Sequence, residues 1–193
     1  MIAKWGDWGE CYFDHFSKFC ENPIGRKVFE QDSVMPSIQI LFYDKVFENC
    51  RVFCSLGLSH YFLELRELAE VVVVVDESWD DVPYILSNIL FFMIKEHIML
   101  EQGVSISGIR KLNPNFTKKF DKAALYFSKP QGFPTDFERV KCVGCKSAGT
   151  VYSASFISQE EHNFYCEHGA EDFEERLEFK EVDPFNLRRL SSV

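Results

Sequence analysis

The 193-residue chain lacks most of the features by which a sequence declares its chemistry. It has no Gly-x-Ser-x-Gly elbow, no phosphate-binding or dinucleotide glycine loop and no His-Glu-x-x-His pair. That removes the recognisable hydrolase, nucleotide-binding and zinc-protease classes. Its most apolar stretch, residues 85–94, is interrupted by Ser87 and Asn88 and runs into Lys95-Glu-His97, too short to span a bilayer. No apolar stretch follows Met1-Ile-Ala-Lys-Trp5, so a secretory leader is not expected. Basic charge is scarce: 21 Lys and Arg against 30 Asp and Glu leave a net charge of −9. No basic stripe is present, so nucleic acid is not expected as a direct ligand. No internal period and no low-complexity tract occur, which excludes repeat arrays. Seven cysteines are an odd number, and without a leader they read as reduced thiols in a cytoplasmic protein.

What the chain has in quantity is aromatic bulk: 16% of residues, with 20 Phe, implying a densely filled interior. At this length a full core forms without staples, and residues 1–193 are read as one domain. Residues 5–20 place Trp8, Tyr12, His15, Phe16 and Phe19 at helical spacing and stop at Asn22-Pro23, predicting an amphipathic N-terminal helix within 1–22. Residues 38–43 and 50–55 predict a hairpin. Residues 65–75 end in five valines and predict a strand buried on both faces. Ser78 is placed to cap a helix with Pro83 in its first turn. Its stripe runs from Val82 through Met93 and Ile94 to His97 and ends at Gly103. Strands follow at 104–106, 123–127 and 150–157. Ser158 and Glu161 form a capping box for a last helix, interrupted at Gly169 and running to about 179. Strands and helices mix without strict βαβ alternation, so the fold class is α+β.

Five features are weighed for function. Cys142-Val-Gly-Cys145, His162 and Cys166 have the spacing Cys-x2-Cys-x16-His-x3-Cys, which fits a structural zinc knuckle. The plainer reading is that these cysteines are small buried apolar residues, and no cofactor is expected. Five histidines lie in no catalytic motif; His97 and His15 read as core or boundary residues, and an enzyme is not expected. Glu171, Glu174, Glu175 and Glu178 form an i, i+3, i+4, i+7 stripe on the last helix. It is either a solvated face or a docking surface for a basic partner. Asp76, Glu77, Asp80 and Asp81 make a second acidic cluster, explained by a helix N-terminus. Phe133, in the loop Lys129-Pro-Gln-Gly-Phe-Pro134, is a partner contact if exposed, and burial is the plainer fate.

Several segments together resemble the suppressor of fused (SUFU) domain family. They are Cys54-Ser-Leu-Gly-Leu-Ser59, the acidic-then-aliphatic strand from Glu70 to Val75 with the long helix after it, Ala124-Leu-Tyr-Phe-Ser-Lys-Pro-Gln-Gly-Phe-Pro134, residues 158–178, and Asp183-Pro-Phe-Asn-Leu-Arg-Arg189. Their shared order spans about residues 35–190. The resemblance implies a single SUFU-like domain with a mixed, mainly antiparallel sheet packed with helices. For the short bacterial, YqcF-like branch it implies an immunity protein (antitoxin). Such a protein neutralises a cognate polymorphic toxin, an LXG-type nuclease, by stoichiometric binding. The family offers no catalytic residues to carry over. The alternative is a zinc-stabilised regulatory module sequestering an endogenous protein.

Overall fold

The computed structural model describes residues 6–31, 35–76, 79–145 and 147–193. Its frame is one eight-stranded sheet. The strands are β1 (Gly25–Phe29), β2 (Ile38–Asp44), β3 (Arg51–Leu56), β4 (Ala69–Val75), β5 (Ser105–Ser107), β6 (Ala124–Ser128), β7 (Arg139–Lys141) and β8 (Ala148–Ile157). The order is β1-β2-β3-β4-β8-β6-β5, with β7 also paired to β8. Every pairing is antiparallel except β4 with β8. The α+β reading with a mixed, mainly antiparallel sheet therefore holds.

Alternation along the strands builds two cores. Val71, Val73 and Val75 of β4, with Ile38, Ile40, Leu125, Phe127, Ala154 and Phe156, face one layer of helices: α2 (Phe62–Leu65), α3 (Val82–Lys95), α4 (Ile109–Leu112) and α5 (Pro114–Phe120). Val72 and Val74, with Leu41, Tyr43, Val52 and Val151, face α1 (Gly6–Cys20). On that second face, further along the sheet, Ala124, Tyr126 and Ile157 meet Phe173 of α6 (Gln159–Phe179). A strand buried on both sides needs a continuous apolar run, and the five valines supply it.

Gly149 decides how closely α1 lies on the sheet. A Cβ there would collide with the Tyr12 ring and come within 3.1 Å of Trp8. The Tyr12 hydroxyl donates to the carbonyls of Leu68 (2.8 Å) and Thr150 (3.2 Å), and burial raises its pKa well above the ordinary value. Gly149→Ala is expected to lower unfolding free energy by about 1–3 kcal/mol, the usual cost of overpacking; equilibrium denaturation checks it.

Several sequence expectations need correction. Ser78 lies outside the described residues, and α3 begins at Val82 with Asp81 at the N-cap position. It ends at Lys95, where His97 takes a left-handed φ of 53°. His97 is therefore exposed rather than part of the apolar stripe. The strand expected over 65–75 starts at Ala69, because Leu65 closes α2. β1 was not anticipated: it lies at the sheet edge with exposed Arg26, Lys27 and Val28, so it shows no alternation. Nor were α4 and α5; Asn113 caps α5 through the Phe116 N–H (2.9 Å), ahead of Pro114. The seven cysteines are not all thiols, because Cys11 of α1 forms a disulfide with Cys142 just after β7. Spacing cannot show that α1 lies beside β7.

Candidate partner-binding face

The last helix is assembled by local rules and then locked by distant ones. Ser158 Oγ accepts from the Glu161 N–H (3.0 Å), and Glu161 Oε2 accepts from the Ser158 N–H (2.9 Å), the capping box anticipated from sequence. Glu161 is also fully buried and forms a bidentate pair with Arg189 of the C-terminal segment, at 2.6 and 3.0 Å. Its other acceptor position takes the Ser192 N–H at 3.0 Å. Burial pushes its carboxyl pKa up, but the Arg189 guanidinium and the Ser158 and Ser192 amides outweigh that and hold it below the usual value. Lys122, also buried, donates to the Arg189 carbonyl (2.9 Å); burial first, then Arg189, lowers its pKa to about 8. Arg176 donates to the Ser192 carbonyl (2.9 Å). The tail is thus strapped along α6.

Gly169, at φ 89°, breaks α6 and re-aims its second half. The predicted acidic stripe lies beyond this break. Glu171, Glu175 and Glu178 are exposed and have no cationic partner among the described residues. Glu174 departs from the stripe: it is half-buried, accepts from the Tyr126 hydroxyl (2.8 Å), and takes Gln102 Nε2 at 3.3 Å. Burial and this carboxylate push the Tyr126 pKa far up. Glu174 therefore fastens the helix to β6.

Beside this helix lies a cleft of ≈ 440 Å³ that Glu178 borders but Glu171 and Glu175 do not, and that Lys129 and Arg189 also line. Tyr126, Ser155 and Ile157 form its floor, Glu174 and Glu178 line the helix side, and Glu181 lies on the tail side. Sequence reading missed Tyr126, Gln102 and Glu181 because they come from three separate segments. The only local signal was the helical spacing from Glu174 through Leu177 to Glu178.

The remaining candidates are structural. Asp76 accepts from the Leu187 N–H (3.0 Å) and Asp81 from Asn113 Nδ2 (2.7 Å), so these two carboxylates are engaged within the fold; Asp80 is exposed and only its backbone carbonyl is engaged, by Lys27 (3.0 Å), and Glu77 lies outside the described residues. Phe133 is half-buried, stacked on Phe137 with ring centroids 3.9 Å apart. His15 is half-buried with its Nε2 2.8 Å from the Phe137 carbonyl, and burial lowers its pKa.

The zinc-knuckle residues are not brought together. The disulfide takes Cys142, while Cys145 sits in the adjoining turn. His162 and Cys166 do share a face of α6, with Sγ 3.7 Å from Nε2, but His162 Nδ1 pairs with Ser105 Oγ at 2.8 Å. Among the described residues no group of three His, Cys, Asp or Glu is placed to hold a metal ion.

Sequence reading also missed a buried carboxylate. Glu70, at the start of β4, is completely buried and accepts five hydrogen bonds. Its Oε1 takes the N–H groups of Gly57 (2.9 Å) and Ser59 (3.0 Å) and the Ser59 hydroxyl (2.9 Å). Its Oε2 takes the Ser55 hydroxyl (2.6 Å) and the Leu58 N–H (3.2 Å). Burial pushes its pKa up, and these donors oppose the shift. Gly57 has φ 106°, and a Cβ there would lie 2.6 Å from the Ser37 carbonyl oxygen. Two of the segments that carried the family resemblance therefore meet at one buried acid.

Among the described residues no helix is long and apolar enough to cross a membrane. No curated protein sequence matches the chain. Its fold is similar to the crystal structure of a SUFU homolog from Neisseria gonorrhoeae FA 1090. That match has TM-score 0.75 and 16% identity, covering 97% of this chain and 98% of the other. It is also similar to a chain of the Sufu–Fu complex, with TM-score 0.65 and 12% identity, covering 95% and 91% respectively. Residues 35–190 match the profile of the suppressor of fused protein family, and the chain belongs to that family.

Proposed function

We propose that this chain is an immunity protein that neutralises one cognate toxin by stoichiometric binding rather than by catalysis. It presents the second half of α6 and the cleft beside it to a basic surface of a nuclease-type toxin. The observation that carries this reading is the face itself. Glu171, Glu175 and Glu178 project unpaired from a helix segment held by Glu174, Phe173 and the strapped tail. Holding such a face rigid lowers the ordering cost of binding. Like-charged neighbours at helical spacing cost a few tenths of a kcal/mol per pair, a cost that an opposite surface relieves. The net charge of −9 adds long-range attraction toward a phosphate-gripping, cationic protein. A solved relative in complex with a protein gives the general mode.

The test is co-expression with the product of the adjacent gene. Wild-type chain is expected to restore growth and co-purify with that product. The triple variant Glu171→Lys, Glu175→Lys, Glu178→Lys should fold normally yet associate about 10- to 100-fold more slowly at low salt, since steering depends on these charges. Glu174 stays untouched because it holds β6. A folded triple variant with unchanged association would remove this face, and failed rescue by soluble wild-type protein would remove the immunity reading.

A further inference from the structure

The binding face leaves the Cys-x-x-Cys turn unused, yet the structure places a third cysteine beside the disulfide. The Cys145 N–H donates to the Cys142 carbonyl at 3.1 Å, with Gly144 at φ 83° and Val143 fully exposed. A turn closed by this i to i+3 bond holds its end Cα atoms within about 7 Å. Disulfides span Cα separations of about 4.4–6.8 Å. Cys142 already lies 5.4 Å, Cα to Cα, from Cys11, and the turn keeps the Cys145 Cα close to it as well, so Cys142 has two cysteines at about the backbone spacing that a disulfide bridges. Cys11 and Cys145 both pack against the apolar cluster that contains Cys142. A cleft of ≈ 620 Å³ opens over Cys11 and Cys142, bordered by His15, Lys18 and Asp136.

We propose that Cys11, Cys142 and Cys145 form a thiol–disulfide exchange site with Cys142 as the shared sulfur. The Cys145 thiolate attacks Cys142 Sγ. The Cys142–Cys145 bond forms as the Cys11–Cys142 bond breaks, and Cys11 leaves as a thiolate that takes up the proton Cys145 gave up. Both isomers have the same oxidation level, so no oxidant or reductant enters. One isomer ties α1 to the sheet across 131 residues; the other closes only a surface turn. Tyr12 and Phe16 keep α1 packed in either form, so exchange alters the cross-link and frees a thiol at the cleft without dismantling the fold.

The experiment uses the oxidised full-length chain without reductant. It is acid-quenched, alkylated with N-ethylmaleimide, digested, and its disulfide-linked peptides are identified by mass spectrometry. Wild type is expected to yield both linkages, with Cys11 alkylated in the molecules linked through Cys145. Cys145→Ser, a change in a surface turn, should abolish Cys11 alkylation and leave the Cys11–Cys142 peptide alone. Cys11→Ser should convert to the Cys142–Cys145 linkage on air oxidation. Wild type that yields only Cys11–Cys142, with Cys145 fully alkylated, overturns the proposal whether or not the Cys11 variant folds.

Discussion

Glu70→Leu is expected to cost at least about 4 kcal/mol of unfolding free energy, a large part of the 5–15 kcal/mol that holds an ordinary domain together. The reasoning is an accounting of donors. The hydroxyls of Ser55 and Ser59 can rotate to other acceptors, but the N–H groups of Gly57, Leu58 and Ser59 cannot. They are aimed at one point by the left-handed Gly57. Each buried orphan donor costs about 1–3 kcal/mol, and the apolar gain of leucine offsets only part of that total. Glu70→Gln separates the two oxygens. Its amide oxygen can replace Oε1 for Gly57 and Ser59, whereas its NH₂ would face the Leu58 N–H. A smaller loss, about 1–3 kcal/mol, is expected there. Urea denaturation of both variants checks the order; losses below about 1 kcal/mol for both would contradict the role assigned to Glu70.

Arg189→Leu should cost about 3–5 kcal/mol at neutral pH, the usual penalty for stranding one member of a buried ion pair. Glu161 is fully buried, and without Arg189 only the Ser158 and Ser192 amides and the charge of nearby Lys122 would face it. The pH dependence supplies a second readout. In the wild type the Glu161 carboxyl is held below its unfolded value. Its contribution is therefore present above about pH 4.3, the unfolded value, and is lost as pH falls through the lower folded value. In Arg189→Leu burial goes unopposed by the guanidinium and the carboxyl rises above the unfolded value. The deficit of the variant relative to the wild type should then shrink as pH is lowered from 7 toward 5. Denaturation curves at pH 7 and pH 5 distinguish this from simple loss of packing, which would be equal at both. The double variant Glu161→Gln, Arg189→Leu should recover part of the loss, because the stranded charge is gone.

Local patterns in the sequence determined much of this protein. The capping box at Ser158 and Glu161, the break at Gly169, the five valines of β4 and the apolar stripe of α3 all depend on neighbours within about one or two helical turns. Side-chain periodicity and backbone capping therefore expose them directly. Edge strand β1 and short β7 were not legible, because an edge strand needs no alternation and three residues carry no pattern. The acidic stripe was legible as a helix face, but not which of its members turns inward. Glu174 differs from Glu171, Glu175 and Glu178 only through Tyr126 and Gln102, 48 and 72 residues away. The same holds for Glu70 and its turn, for Glu161 and Arg189, and for the cysteines, whose zinc-like spacing gives way to a disulfide reaching back 131 residues. A buried polar group takes whichever partner the fold delivers, because leaving it unpaired costs more than any local preference gains. Tertiary structure alone decided which acids hold the fold together and which remain exposed at the surface.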